Sequence, residues 1–325
     1  MPITLISLLS VAGVTSPVAS RFPEAETQLK QIYALVKERY VYPKHLYPER
    51  DPAIKMTLNE EDIWRIGNWD DVRDFYLSEV KKAKTQADAD AALKGMVSWL
   101  RDDHSQYIDK VRAQEITRQY GRTLPCLPAP TLQANLFSPR SLEARMDGKV
   151  GIVVLPDIVG FDRTLAMRET LLKLKNQGAK AFVIDVRGNP GGQLVDMTGL
   201  AGLFQKGVLW RLKIRGWLFP LPIPAIGPAD FKEPLAIVID HDVNSAAEGF
   251  SGGLQTVGRA KIFGETSAGN VEAVYPYCLK NDSMVMLASG QLSPWTGPGW
   301  EGKGVVPDGI GGINEAIVWA KSQIR

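Results

Sequence analysis

Pro234-Leu235-Ala236-Ile237-Val238-Ile239 is an unbroken apolar run, and Asn244-Ser245-Ala246-Ala247-Glu248-Gly249-Phe250-Ser251-Gly252-Gly253-Leu254 follows four residues later. The first run has the length and the lack of alternation of a strand buried on both faces. The second opens a helix of small residues. Ser245 therefore stands at a strand-to-helix junction, where backbone N–H groups converge without intrahelical partners. Such a place favours negative charge. Glu248, three residues on, gives Ser245 the spacing of a capping box as well. Alone, the residue reads equally as a helix cap and as a reactive group beside an anion site.

Working outward, the same rhythm repeats on both sides. Gly148 to Leu155 reads as a strand, Arg163 to Asn176 as an amphipathic helix ending at Gly178, and Ala179 to Val186 as a second apolar strand. A glycine turn, Arg187-Gly188-Asn189-Pro190-Gly191-Gly192, leads into a helix from Gln193 to Leu203. After the helix of residues 245–257, a strand runs from 260 to 264, and Val274–Leu279 with Met284–Leu287 form a hairpin around residues 280–283. Strand–helix–strand repetition predicts an α/β (α+β) core with helices packed on a sheet. Residues 22–107 carry helical spacing, in Ala25–Tyr40, Trp69–Val80 and Asp88–Leu100. Residues 108–148 lack a clear period and contain Pro125, Pro128, Pro130 and Pro139. The expected layout is residues 1–20 as a leader, 21–110 as an N-terminal helical region, 111–147 as an irregular connection and 148–325 as the core.

The 325 residues suffice for one large domain or two ordinary ones. Charge is balanced, 38 basic against 36 acidic residues, with no basic cluster, so nothing points to nucleic acid. Met1 to Val14 is apolar and uncharged, and Val18-Ala19-Ser20 offers the small residues of a cleavage site. This reads as a secretory signal although its first residues lack Lys and Arg, and it implies export to a periplasmic or extracellular space. No other run is long and apolar enough to span a bilayer in the mature chain. Cys126 and Cys278, the two cysteines, either form one disulfide or remain separate thiols. Two Cys and three scattered His, at 45, 104 and 241, offer no metal-ligand spacing, and no cofactor is expected.

Four segments are candidates for chemistry. The 187–192 turn has the wrong glycine frame for a dinucleotide loop, but it can expose N–H groups to a close substrate. Ser245 is the second. The third is Asp102-Asp103-His104-Ser105-Gln106-Tyr107, and the fourth is Trp300-Glu301-Gly302-Lys303-Gly304-Val305-Val306-Pro307-Asp308. Together with Gly258-Arg259-Ala260 and Gly264-Glu265-Thr266, these segments resemble the C-terminal processing (tail-specific) serine peptidases, over roughly residues 25–320. The resemblance extends to the tricorn-type and retinoid-binding-protein-like branches.

The resemblance implies a crotonase/ClpP-like core with Ser245 as nucleophile. The oxyanion hole would be made by N–H groups of Ala246 and of Gly191 or Gly192. The best-known branch pairs its serine with a lysine in a Gly-Glu-x-x-x-Gly-Lys segment. Here Asn270 occupies the lysine position, and an amide cannot accept the hydroxyl proton at neutral pH. The tricorn-like branch uses a histidine near the N-terminal helices, and His104 stands in that place. Glu301 matches that branch's supporting glutamate, and Asp103 replaces the serine before its histidine. No PDZ domain is expected between the His104 segment and the core, because residues 108–148 are too few.

The implied activity is a serine endopeptidase acting on peptide or unfolded-protein substrates through an acyl-enzyme, with oligomerisation left open. The alternatives are a non-catalytic binder of apolar ligands on the same fold and an esterase or amidase. For the binder, Trp210 to Pro224 would line a pocket or cover an interface; otherwise that stretch is a packed hairpin.

Overall fold

Two five-stranded sheets organise the protein. The computed structural model describes residues 21–47, 67–102, 104–120, 141–160 and 162–324. The elements, in chain order, are α1 (Pro23–Arg39), α2 (Trp69–Lys82), α3 (Gln86–Ser98), β1 (Gln106–Ile108), α4 (Lys110–Tyr120), β2 (Glu143–Asp147) and β3 (Val150–Val154). Then come α5 (Asp162–Asn176), β4 (Ala181–Asp185), α6 (Leu194–Gly202), β5 (Gly207–Ile214), β6 (Leu221–Ala225) and β7 (Leu235–Ile239). The last are α7 (Ala246–Thr256), β8 (Lys261–Gly264), β9 (Glu272–Cys278), β10 (Met284–Pro294) and α8 (Ile313–Ser322).

The first sheet has the order β2-β3-β4-β7-β8, parallel except for the edge strand β2. Its central strands β4 and β7 are buried at every position, as their continuous apolar sequences require. The second sheet is antiparallel: β10 pairs with β1 and then β5 along one edge and with β9 along the other, and β6 pairs with β5. Helix α7 lies between the sheets, buried from Ala246 through Leu254. Its small residues have a steric cause. A Cβ at Gly253 would lie 2.4 Å from Trp210 Nε1, and one at Gly252 would lie 2.5 Å from the Trp300 ring. Trp210 Nε1–H also donates to the Gly249 carbonyl at 2.7 Å, fastening β5 to the helix.

The N-terminal helices form a separate cluster, with Leu29, Ile32, Val36, Leu93 and Val97 packed on Val285 and Leu287 of β10. Arg215, just past β5, ties them down by donating to the Tyr40 and Lys37 carbonyls at 3.1 and 2.9 Å. The 111–147 stretch is not simply irregular. Helix α4 starts where Asp109 accepts from the Arg112 N–H, and it buries Ala113 against Ile108 and Met284. Strand β2 is a largely exposed edge whose Glu-Ala-Arg-Met-Asp sequence lacks the apolar alternation that would betray it. The leader, Asp103, Cys126 and about half of the span expected to lack a PDZ domain lie outside the described residues. Cys278 is disulfide-bonded. Among the described residues no helix is long and apolar enough to cross a membrane.

Candidate active site

Ser245 closes the β7-to-α7 junction with φ 55° and ψ −119°. A non-glycine residue in this region stores about 1–3 kcal/mol of backbone strain, and such strain persists only where surrounding bonds over-determine it. Those bonds are present. The Ser245 N–H donates to the Asn270 carbonyl at 3.1 Å and to Glu248 Oε2 at 2.9 Å. Glu248 is fully buried and also accepts from the Gly269 N–H at 2.6 Å, the Asn270 N–H at 2.9 Å and the Ser267 hydroxyl at 2.6 Å. The glutamate half of the capping box thus forms, but its carboxylate does more than cap. It joins the Ser245 elbow to the 267–270 loop through four donors. The Ser245 hydroxyl itself makes no capping bond and is left available.

The 187–192 turn packs directly on this elbow. Gly191 has φ 95°, and a Cβ there would lie 2.8 Å from Ser245 Cβ and 2.9 Å from the Ala246 nitrogen. Only glycine brings the turn that close. Asn189, fully buried, is the keystone. Its amide donates to the Leu155 carbonyl at 2.8 Å, its side-chain oxygen accepts from the Gly191 N–H at 2.9 Å, and its carbonyl accepts from the Asn244 N–H at 3.1 Å. The turn is further pinned to Ile158, which donates to Gly191 O and accepts from the Gln193 N–H, both at 2.9 Å. The two candidate glycines are therefore not equivalent. The Gly191 N–H is committed to Asn189, whereas the Gly192 N–H and the Ala246 N–H have no partner among the described residues.

His104 comes from the other end of the chain. The Asp102 carboxylate holds its turn, accepting from the His104 N–H at 3.0 Å and from the Ser105 N–H. Ser105 Oγ then accepts from the Ala288 N–H at 3.0 Å and binds the turn to β10. His104 Nδ1 lies 3.1 Å from Glu272 Oε2. Glu272 sits two residues beyond Asn270, whose carbonyl holds the Ser245 N–H, so the short segment 270–272 links imidazole and serine.

The carboxylate on the imidazole is thus Glu272, not Glu301 as expected. Glu301 stands behind it, accepting from the Val271 N–H at 2.9 Å. Tyr42 donates to Glu272 Oε1 at 3.3 Å and stacks on His45 with ring centroids 4.9 Å apart. Burial alone would raise the Glu272 carboxyl, but the bond from His104 holds it below the usual range. Burial, and then the Glu272 charge, push Glu301 up to about 7. An ionised Glu272 can only accept, so the bond at His104 Nδ1 is one in which the imidazole donates. Asn270 is buried, and its backbone is used at both ends: the N–H donates to Glu248 and the carbonyl accepts from the Ser245 N–H.

Sequence reasoning missed Glu272, Asn189 and the wider part played by Glu248. Asn189 lies inside the 187–192 turn, and its signal is an amide placed directly before Pro-Gly-Gly. Nothing in the local pattern marks Glu272. Among the described residues no group of three or more His, Cys, Asp or Glu is placed to hold a metal ion.

The profile of peptidase family S41 fits residues 149–310, from the start of β3 past Glu301. This stretch is a peptidase family S41 domain. Over 173 residues the chain is 26% identical to a probable CtpA-like serine protease of Staphylococcus aureus (strain bovine RF122 / ET3-1), covering 52% of this chain and 34% of that protein. The matched stretch thus spans about a third of the relative's length. Among solved structures, a lipoprotein from Streptococcus agalactiae superposes with a TM-score of 0.66 at 19% identity, covering 99% of this chain and 100% of that one. A photosystem II D1 C-terminal processing protease gives 0.63 at 15% identity, over 93% and 97%. These superpositions extend the fold of the S41 domain to the N-terminal region, where His104 stands in the turn after the helices.

Proposed function

We propose that the chain is a serine endopeptidase that works through an acyl-enzyme, with Ser245 as nucleophile and His104 as base. The observation that carries this reading is the strained Ser245 elbow, with the Gly191–Gly192 turn packed against it and two unpartnered N–H groups beside it. In this reading Ser245 Oγ attacks the scissile carbonyl while His104 Nε2 takes its proton. The oxyanion rests on the Ala246 and Gly192 N–H groups. The imidazolium, stabilised by Glu272, returns the proton to the leaving amine, and water repeats the sequence to release the acyl group. Asn270 supports the loop in place of a catalytic lysine. Membership of a peptidase family favours peptide or unfolded-protein substrates over a non-peptide acyl group. The disulfide at Cys278 supports an oxidising compartment, consistent with export.

A fluorophosphonate probe tests the assignment. Wild type should be labelled at Ser245 and should cleave casein. Ser245→Ala should lose both, and His104→Ala should label about 10³-fold more slowly or worse at unchanged melting temperature. Labelling elsewhere, or casein cleavage that survives Ser245→Ala, rejects the proposal and returns the binding-protein alternative.

A further inference from the structure

A cleft of about 500 Å³ opens beside Glu301, and the catalytic reading leaves it unused. Arg211, Lys213 and Lys303 line it, with Trp217 and Leu218 at its rim and Glu301 on one wall. Its position follows from strand register. Glu272, Gln291 and Lys213 are directly paired across β9, β10 and β5. Directly paired residues project to the same face of a sheet. The row that starts at the carboxylate holding His104 therefore ends at a lysine of the cleft, and Ser293 and Arg211 form the next row. The cleft lies on the sheet face that carries the imidazole's partner.

Its charge is uncompensated. Arg211, Lys213 and Lys303 have no ion-pair partner among the described residues, whereas Arg163, Arg187 and Lys321 are each matched to an aspartate. The single carboxylate on the wall, the half-buried Glu301, offsets at most one of three cations. Next to the cations the β5–β6 turn displays apolar side chains to solvent: Trp217 is 56% and Leu218 86% exposed. Exposed apolar surface beside unmatched cations fits a ligand that brings both carboxylates and an apolar group. One chain-terminal carboxylate would match one cation, and a stretch with several acidic side chains matches all three.

We propose that this cleft binds an acidic segment of the peptide substrate, with two or more Asp or Glu side chains facing Arg211, Lys213 and Lys303 and a bulky apolar residue against Trp217 and Leu218. The proposal rests on the serine-peptidase reading for its ligand being a substrate. Because the cleft shares the sheet face of the Glu272–His104 pair, the acidic segment sets the register in which the scissile bond reaches Ser245.

The test is binding of fluorescein-labelled peptides to the full-length Ser245→Ala chain, read by anisotropy. The peptides are amidated at the C-terminus, and one carries a Glu-Glu-Leu core, its counterpart Gln-Gln-Leu. The Glu peptide should bind at least about tenfold more tightly in low salt, with most of the advantage lost at about 0.5 M salt, where the Debye length shrinks to a few ångströms. The double variant Lys213→Ala/Lys303→Ala, added to the same background, should abolish the preference. Both lysines are exposed, so the fold should survive, and a melting curve checks this.

Equal binding of the two peptides overturns the proposal. So does a preference that appears only when the C-terminus is a free carboxylate, because the cleft would then read a chain end. The same lysine substitutions in an otherwise wild-type chain should leave the fluorophosphonate labelling rate of Ser245 within about twofold. Absent labelling in wild type would reject the peptidase reading, while the anisotropy result would still decide the cleft.

Discussion

The two halves of the candidate site are built of different material. Around Ser245 the parts are backbone: a positive-φ serine, Gly191 packed against its elbow and Gly192 against the Ile158 main chain, and buried Asn189 and Glu248 whose polar atoms hold main-chain groups in place. Around His104 the parts are titratable side chains from distant segments, namely Tyr42, Glu272 and Glu301. The first half is assembled by close packing. The second is assembled by charge, and one of its members changes protonation near neutrality. Substitutions in the first half should therefore act as steps, through folding and geometry, and those in the second as slopes against pH.

The largest expected effect is Glu248→Ala. The carboxylate gathers four donors in a fully buried place, and its loss leaves them unsatisfied. The cost should be about 3–5 kcal/mol of stability, with fluorophosphonate labelling lost even where the chain remains folded. A variant that unfolds in urea at the wild-type midpoint and keeps its labelling rate would show that the elbow does not depend on this hub.

Gly192→Ala comes next. A Cβ there would meet the Ile158 carbonyl at 1.8 Å, so the turn must move and carry its N–H away from Ser245. kcat/KM should fall by about 10²–10³, the usual effect of losing an oxyanion donor. Gly188→Ala is the control. Gly188 has φ 65° but open space around it, so the change should cost only about 1 kcal/mol and leave kcat within about twofold. If the two variants behave alike, the close packing of the 191–192 turn is not what matters.

How far each half is legible in the sequence follows the same division. The β7 run, the Gly-rich turn and the Ser245 junction are local patterns, and local patterns survive in a sequence. The expected strand 234–240 and helix 245–257 lie within a residue or so of where β7 and α7 stand. His104 is identified through its motif, but its partner is not. Glu272 lies 168 positions away on a strand whose expected start is Val274, and only the pairing of β9 with β10 brings it to the imidazole. Strands β5 and β6 hide in a Trp- and Pro-rich stretch because two prolines, Pro222 and Pro224, disguise β6, a strand held on one side by β5. Proline is tolerated at such an edge, so the usual breaker signal misleads there.

Glu272→Gln probes the charged half directly. The amide oxygen can still accept from His104 Nδ1, so orientation survives, but the negative charge that stabilises the imidazolium is gone. kcat/KM should fall by about 10²-fold with little change in stability. The substitution also removes the Glu272 charge, the largest cause after burial that holds Glu301 high, so Glu301 should ionise at lower pH. Carboxyl titration followed by NMR in the two proteins would show whether these groups are coupled as the geometry requires.

The smallest and most selective effect is Glu301→Gln. The folded-state value for Glu301 is raised from 4.5 to about 7, so the fold prefers the protonated acid. The stability this contributes is fully present below about pH 4.5 and is lost as pH rises through about 7. A rise of that size corresponds to about 3 kcal/mol at full burial, and partial exposure reduces it to about 1–2 kcal/mol. Wild type should therefore lose about that much stability between pH 5 and pH 8 relative to Glu301→Gln, measured by urea unfolding. Ionised Glu301 also adds a second negative charge beside the imidazole and favours its protonated form, so the acid limb of kcat/KM should lie at lower pH in the variant, with rates at pH 8 within about threefold. Identical pH profiles for stability and for kcat/KM would place the proton elsewhere in the Tyr42–Glu272–Glu301 group and would remove the contrast between a backbone half and a titrating half.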